Sequence, residues 1–242
     1  MGQQSVSDDE TLINHCRGSQ ADPGITAIVP AYNEAGRIGA VVSVLCQVDC
    51  LKEILVVDDG SKDGTAEDAL QAARCDSRLR LLRMNGNRGK GEAVFAGWST
   101  IETSFTVMLD ADLIHLTPAH VIQLLEPVVE GEADMSLGIF KQGYWRTDLS
   151  HRLTPWLSGQ RALRSELFSY ISQDAAHGYG LETAMSLAAR HHSWRVSHVP
   201  LLGVSHPLGE IPRGGYHGLQ LKVRMYTEIG RAWMRANRNG KR

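Results

Sequence analysis

The sequence predicts an α/β fold, a single domain on a mostly parallel sheet with helices on both faces. Three observations predict it. Short continuous apolar runs rich in β-branched residues alternate with segments of helical period, as strands buried on both faces and joined by crossover helices do. Four of those runs end directly in polar or glycine-rich loops, where open α/β sheets carry their chemistry. Hydrophobic residues make up 43% of the 242 positions and charged residues 21%, enough apolar material for one generous core and too much for wholesale disorder.

Taken in order, residues 1–23 carry little apolar periodicity and close on Pro23-Gly24, so a disordered lead-in is expected there. Ile25–Val29 reads as the first strand, bounded by Pro30. Ile38, Val41, Val42, Leu45 and Val48 then recur at helical spacing, and Cys46 and Cys50 would share a face of that helix as buried free thiols. Glu53–Asp58 is the second strand, followed by a turn at Asp58-Asp59-Gly60-Ser61 and a helix over 65–74. Leu79–Met84 is the third strand, with a helix over 92–100. Phe105–Asp110 is the fourth. Thr117 supplies an N-cap and Pro118 a first helical residue for a helix reaching about Glu130. Ala133–Phe140 is a further strand. The expected organisation is the lead-in over 1–23, the sheet domain over 24–212 and a basic helix over 213–242.

Several function classes fall away. No apolar run approaches the roughly 18 residues of a membrane span. Met1–Glu10 is polar and acidic, unlike a secretory signal. Four cysteines at irregular spacing (Cys16, Cys46, Cys50, Cys75) do not make a disulfide scaffold, and a cytoplasmic location fits. The net charge is −2. Residues 213–242 hold eight basic side chains and one acid, +7, which leaves −9 on the first 212 residues. A body that acidic is a poor partner for nucleic acid, while the tail could meet an anionic surface. Asn85–Gly91 lacks the serine or threonine that follows lysine in a Walker A loop. No G-x-G-x-x-G follows the first strand, which removes the usual warrant for dinucleotide chemistry.

The loops themselves suggest a site. Asp110-Ala111-Asp112 places two carboxylates at the end of a buried strand, hard oxygen ligands suited to Mg²⁺ or Mn²⁺ alongside substrate phosphates. The Asp58 loop and Glu34 offer acceptors for a nucleobase imide or ribose hydroxyls. The glycines around Lys90 and Arg88 allow close approach of an anion at a helix start.

These residues resemble glycosyltransferase family 2. The similarity rests on Ile28-Val-Pro-Ala-Tyr-Asn-Glu34, Val56-Val-Asp-Asp-Gly-Ser-Lys-Asp-Gly-Thr65, Asn87-Arg-Gly-Lys-Gly91 and Leu109-Asp-Ala-Asp112, which stand in the family's order. It implies a GT-A fold, a nucleotide-sugar donor and a divalent cation, Mg²⁺ or Mn²⁺; the family pattern favours uridine, and UDP-glucose is the expected donor. On that resemblance Pro30, Tyr32, Glu34, Asp58, Lys90 and Asp110 hold the nucleotide. Asp112 and His206 hold the metal, and Asp112 and Glu182 are the catalytic carboxylates. In the second half, Leu157-Ser-Gly159, His177-Gly-Tyr-Gly-Leu-Glu182 and Val204-Ser-His206 are similar to glucosyl-3-phosphoglycerate and mannosylglycerate synthases, which implies a small phosphorylated or carboxylated acceptor held by Arg146, Thr147, Gly159 and Arg161. Arg152 could join them. Inversion would need a base, Glu182 or Asp148; retention would let the leaving phosphate take the proton. Both stereochemistries stay open.

The C-terminal segment keeps two readings. Leu219, Val223, Tyr226, Ile229 and Trp233 at helical spacing fit a helix packed on the domain. With its basic flank the same segment fits an interfacial helix at the inner membrane face, presenting a polyprenyl-phosphate glycosyltransferase to its lipid. A homodimer is a compatible assembly, and a silent nucleotide-sugar sensor is the non-enzyme alternative.

Overall fold

The computed structural model describes residues 24–74, 76–141, 158–174, 176 and 180–207. The lead-in, the basic C-terminal segment, Arg146, Thr147, Asp148, Arg152 and residues 177–179 lie outside them. Seven strands form one sheet: β1 (Ile25–Ala31), β2 (Glu53–Asp58), β3 (Leu79–Arg83), β4 (Phe105–Met108), β5 (Met135–Lys141), β6 (Arg161–Arg164) and β7 (Val196–Leu202). The connecting helices are α1 (Ile38–Leu45), α2 (Thr65–Ala72), α3 (Lys90–Trp98), α4 (Pro118–Val129) and α5 (Leu181–His191), with a 3₁₀ segment at Ser165–Tyr170. No helix among the described residues is long and apolar enough to cross a membrane.

The strand order is β3-β2-β1-β4-β6-β5-β7. β1 to β4 are mutually parallel, β6 runs antiparallel to both β4 and β5, and β7 returns parallel to β5. The chain winds outward from β1 to β3 and then places β4 on the other side of β1. The carboxyl ends of β1 and β4 therefore flank the point where the winding reverses, the crevice in which open α/β sheets bind ligands.

Strand residues alternate between two cores, which is why the strands read as continuous apolar runs. Ala27, Val29, Ile54, Val56 and Val107 face one side, beneath Val41, Val42 and Leu45 of α1, Ala69 of α2 and Leu124 and Val128 of α4. Ile28, Leu55, Val57 and Met108 face the other, beneath Val94 and Phe95 of α3, Phe168, and Met185 of α5. The expected cap of α4 is present: Thr117 accepts from the His120 N–H, and the His120 ring accepts from the Thr117 N–H.

Some boundaries differ from the sequence reading. β1 runs through Pro30 to Ala31 although it is an interior strand. The hydrogen bonds explain this. Ile28 O accepts from Leu109 on the β4 side, and Ala31 O accepts from Asp59 on the β2 side. By alternation Pro30 faces the β4 side, where β4 has already ended opposite Ile28, so no ladder bond is lost. Helix α1 ends at Leu45, because Gln47, Val48 and Leu51 fold back through i→i−3 turns. Cys46 and Cys50 therefore share no helix face, and both are half-buried. Burial and the neighbouring Asp76 push the Cys46 thiol up to about 11, which disfavours the thiolate.

That corner is fastened by Arg78. Its guanidinium donates to the carbonyls of Cys46 (2.8 Å), Val48 (2.8 Å) and Leu51 (3.0 Å) and pairs with both Asp76 oxygens (2.9 and 2.7 Å). Arg78→Ala is expected to lower stability by about 2–3 kcal/mol in denaturant unfolding, since it strands three carbonyls and a carboxylate. The hydrogen bond from Arg78 holds Asp76 down to about 2, against an ordinary 3.8. A depressed carboxylate stabilises the fold above its unfolded pKa, and that contribution disappears as pH falls from about 4 to 2. The variant is thus expected to lose part of the acid limb of the wild-type stability profile over that window.

Candidate active site

Asp110, Ala111 and Asp112 leave the carboxyl end of β4 in a tight turn. His206 reaches them from far along the chain. Ile114 and Ser205 exchange two backbone hydrogen bonds in an isolated antiparallel bridge (2.8 and 3.2 Å), and that bridge carries the next residue, His206, to Asp112. The His206 Nδ1 lies 3.0 Å from Asp112 Oδ1, and its Nε2 3.6 Å from Asp110 Oδ2. The Phe140 ring packs edge-on against the imidazole at 5.1 Å. Burial opposes charge on His206, but the hydrogen bond to Asp112 and the two carboxylates outweigh it and hold its pKa above the usual histidine value.

One ligand atom each from Asp110, Asp112 and His206 lies within 4.8 Å of the others. The donor set is two hard carboxylates and an imidazole, which fits Mg²⁺ or Mn²⁺. These three residues line a cleft of about 300 Å³ together with Pro30, Ala31, Tyr32, Glu34, Asp59 and Lys90. Tyr32 is 39% exposed there.

Lys90, at the start of α3, ties the two halves of the cleft together. Its ammonium lies 2.5 Å from Asp110 Oδ1 and 2.6 Å from Glu182 Oε1, in the first turn of α5. Burial acts against the lysine's charge, yet both carboxylates more than offset it and hold its pKa above the ordinary value. Asp110 is correspondingly lowered: burial would raise it, and Lys90 overrides that. Gly159 closes the group from below. A Cβ there would stand 2.6 Å from both Asp110 Oδ2 and Lys90 Nζ.

The loop after β1 is fixed by the segment after β2. Four successive amides are captured by side chains: Asn33 by Ser61 (3.0 Å), Glu34 by Thr65 (2.8 Å), Ala35 by Asp63 (3.2 Å) and Gly36 by Asp68 (2.8 Å). Tyr32 and Glu34 are therefore presented on a rigid rim. Burial raises the Glu34 carboxyl; Arg37, 2.6 Å away, opposes this and Asp112 reinforces it.

Other expected residues sit differently. Asp58 is fully buried and does not line the cleft: one oxygen accepts from Ser61 N–H at 2.8 Å and the other lies 3.2 Å from Arg83 Nε. Its neighbour Asp59 faces the cleft instead, and its two oxygens accept from the amides of Arg88 (2.8 Å) and Gly89 (2.7 Å). The anion held by the glycine-rich loop is thus the protein's own. Arg161, expected among the acceptor-binding residues, lies in the interior. It is fully buried, donating to Ser158 O (3.0 Å), Glu182 O (3.1 Å) and Ser186 Oγ (3.1 Å), and burial pulls its pKa down to about 10. A buried guanidinium needs such acceptors to offset its lost hydration. Gln160, which carries no charge and belongs to no metal motif, had no sequence signal, yet it donates to Asp110 Oδ2 at 2.7 Å.

Residues 26–187 match the family model described as Glycosyl transferase family 2. The chain belongs to that family. As a family 2 glycosyltransferase it is 30% identical over 217 residues to an undecaprenyl-phosphate mannosyltransferase of Micrococcus luteus, covering 79% of this chain and 88% of the relative. It is 31% identical over 206 residues to glucosyl-3-phosphoglycerate synthase of Mycobacterium tuberculosis, covering 72% of this chain and 63% of the synthase. The crystal structure of that synthase with Mn²⁺, UDP-glucose and phosphoglyceric acid superposes with a TM-score of 0.71, at 23% identity, over 94% of this chain and 86% of the other. The glycosyltransferase therefore has the GT-A fold.

Proposed function

We propose that this glycosyltransferase moves a hexose from UDP-glucose onto a small phosphorylated or carboxylated acceptor such as 3-phosphoglycerate. The observation that carries the reading is the convergence of Asp110, Asp112 and His206 beside Lys90, in the cleft where the sheet reverses its winding. Asp112 and His206 would hold a Mg²⁺ or Mn²⁺ ion, with Asp110 as a further donor available to the ion or to the ribose. Such an ion, when bound, supplies Lewis-acid stabilisation of the charge growing on the departing diphosphate.

The chain's own residues do the rest. Tyr32 offers a ring for the base and Glu34 an acceptor for ribose hydroxyls. Lys90 stays protonated and lies where a diphosphate would bring negative charge, a preorganised cation in a partly desolvated cleft. Glu182 stands across Lys90 from Asp110, placed for a hydroxyl of the transferred sugar. Gly159, with no side chain, lets Asp110 and Lys90 pack directly against its backbone.

A second reading has its own support. The Micrococcus luteus relative is matched over 88% of its length, and residues 213–242 carry +7. Glu34, Asp110, Asp112 and Glu182 each already lie within ion-pair distance of Arg37, Lys90 or His206. A lipid phosphate oxygen is anionic and attacks without a base, which suits a cleft whose carboxylates are engaged. Radiolabelled UDP-glucose with Mn²⁺ should give a water-soluble anionic glucoside with 3-phosphoglycerate and no organic-phase label with undecaprenyl phosphate in vesicles. Label in the organic phase alone would transfer the assignment to the lipid acceptor. Calorimetric titration with UDP-, GDP- and ADP-sugars is expected to select the uridine donor.

A further inference from the structure

Asp110 is gripped from two sides. Lys90 takes Oδ1, and the amide of Gln160 takes Oδ2 at 2.7 Å. The orientation of that amide follows from chemistry: an ionised carboxylate only accepts, so the Gln160 nitrogen must face it. Its oxygen then faces the Ser158 hydroxyl, which donates to it at 3.0 Å. Both side chains are buried, Gln160 completely. The backbone is held as well, with Gln160 O accepting from Gly138 N–H on β5 at 2.9 Å and Gln160 N–H reaching Ser158 Oγ at 3.3 Å. The next residue, Arg161, fixes the first turn of α5 through the Glu182 carbonyl. A closed circuit results: Asp110, Gln160, Arg161, Glu182, Lys90 and back to Asp110.

The geometry points to Gln160 as a positioning residue that sets the plane of the Asp110 carboxylate for a divalent cation. Asp110 Oδ2 is the oxygen that looks toward His206 Nε2, 3.6 Å away. Asp110 Oδ2 thus has the Gln160 amide at 2.7 Å and the His206 imidazole at 3.6 Å. Without the amide the carboxylate is free to rotate about its last bond toward Lys90, and the three donors cease to converge. A neutral donor does this without the added negative charge that a glutamate would bring beside Asp110. The inference rests on the metal-dependent reading above and assigns that site a determinant outside its ligands.

The test titrates Mn²⁺ into the metal-free full chain by calorimetry, without nucleotide and again with UDP, and records thermal midpoints in EDTA. Gln160→Leu keeps the volume and removes the donor; its Mn²⁺ affinity is expected to fall about 10- to 100-fold, the usual cost of losing a group that orients a ligand. Ser158→Ala leaves the Gln160 amide in place but loosens its orientation, and is expected to fall about 3- to 10-fold, which keeps the test decisive if the leucine variant does not fold. EDTA midpoints within a few degrees of wild type, with weaker Mn²⁺ binding, support the assignment. Wild-type affinity in a folded Gln160→Leu, or in Ser158→Ala where leucine fails to fold, overturns it while leaving the metal reading intact. Failure of the wild type itself to bind Mn²⁺ both alone and with UDP present overturns both.

Discussion

Asp112→Ala is expected to lower metal-dependent glucosyl transfer by about 10³-fold or more while the thermal midpoint stays within a few degrees of wild type. The side chain belongs to a surface turn at the strand end rather than to either core, and its one hydrogen-bond partner among the described residues is His206. Its removal therefore leaves the sheet and its packing untouched. What it removes is a hard anionic donor and the group that orients the imidazole. Several kcal/mol of leaving-group stabilisation depend on that donor set, and each 1.4 kcal/mol is a factor of ten in rate. Steady-state assays across Mn²⁺ concentrations check this. Asp112→Asn retains the shape and should also lose most of the activity, because the charge matters more than the volume. Turnover in either variant within a few-fold of wild type would remove the cation site from this cleft.

Gly159→Ala is expected to damage the site through a single added carbon. The added methyl would sit 2.6 Å from a carboxylate oxygen and from an ammonium, closer than real Cβ atoms come, so Lys90 must swing away or the segment must retreat. Either movement separates Lys90 from Asp110. We expect kcat/KM to drop about 100-fold, with a stability loss of about 1–3 kcal/mol from overpacking. The two effects are separable by measuring turnover well below the melting transition. A variant with near wild-type kcat/KM would show that the Asp110–Lys90 contact is dispensable for turnover.

The first half of the sheet was legible because its strands are buried on both faces. Ile54–Val57 has no polar interruption, and the Asp-x-Asp falls directly at a strand end. β6 was not legible, because Arg161–Arg164 offers two apolar residues between arginines, and nothing local signals that Arg161 is solvated by carbonyls in the interior. β7 is an edge strand that leaves Val196 and Leu202 exposed and contains Pro200, so its pattern is weak. The choice between Asp58 and Asp59 shows a finer limit. Consecutive residues at a strand end point opposite ways, and the sequence offers both as acids without saying which one faces the cleft. Glu182 and His206 entered through a family resemblance, and the backbone bridge that delivers His206 depends on a pairing across 91 residues. Gln160 lay beyond both routes, since an uncharged amide acquires its role only from what stands beside it.

Pro30 has an effect that reaches past its own strand. β1 and β4 could in principle have continued pairing, zipping the crevice shut at the place where a ligand must enter. An imino acid at that register withholds the donor that the next rung would need. The cleft that Pro30 lines beside Asp110 and Asp112 therefore stays open between the ends of the two strands.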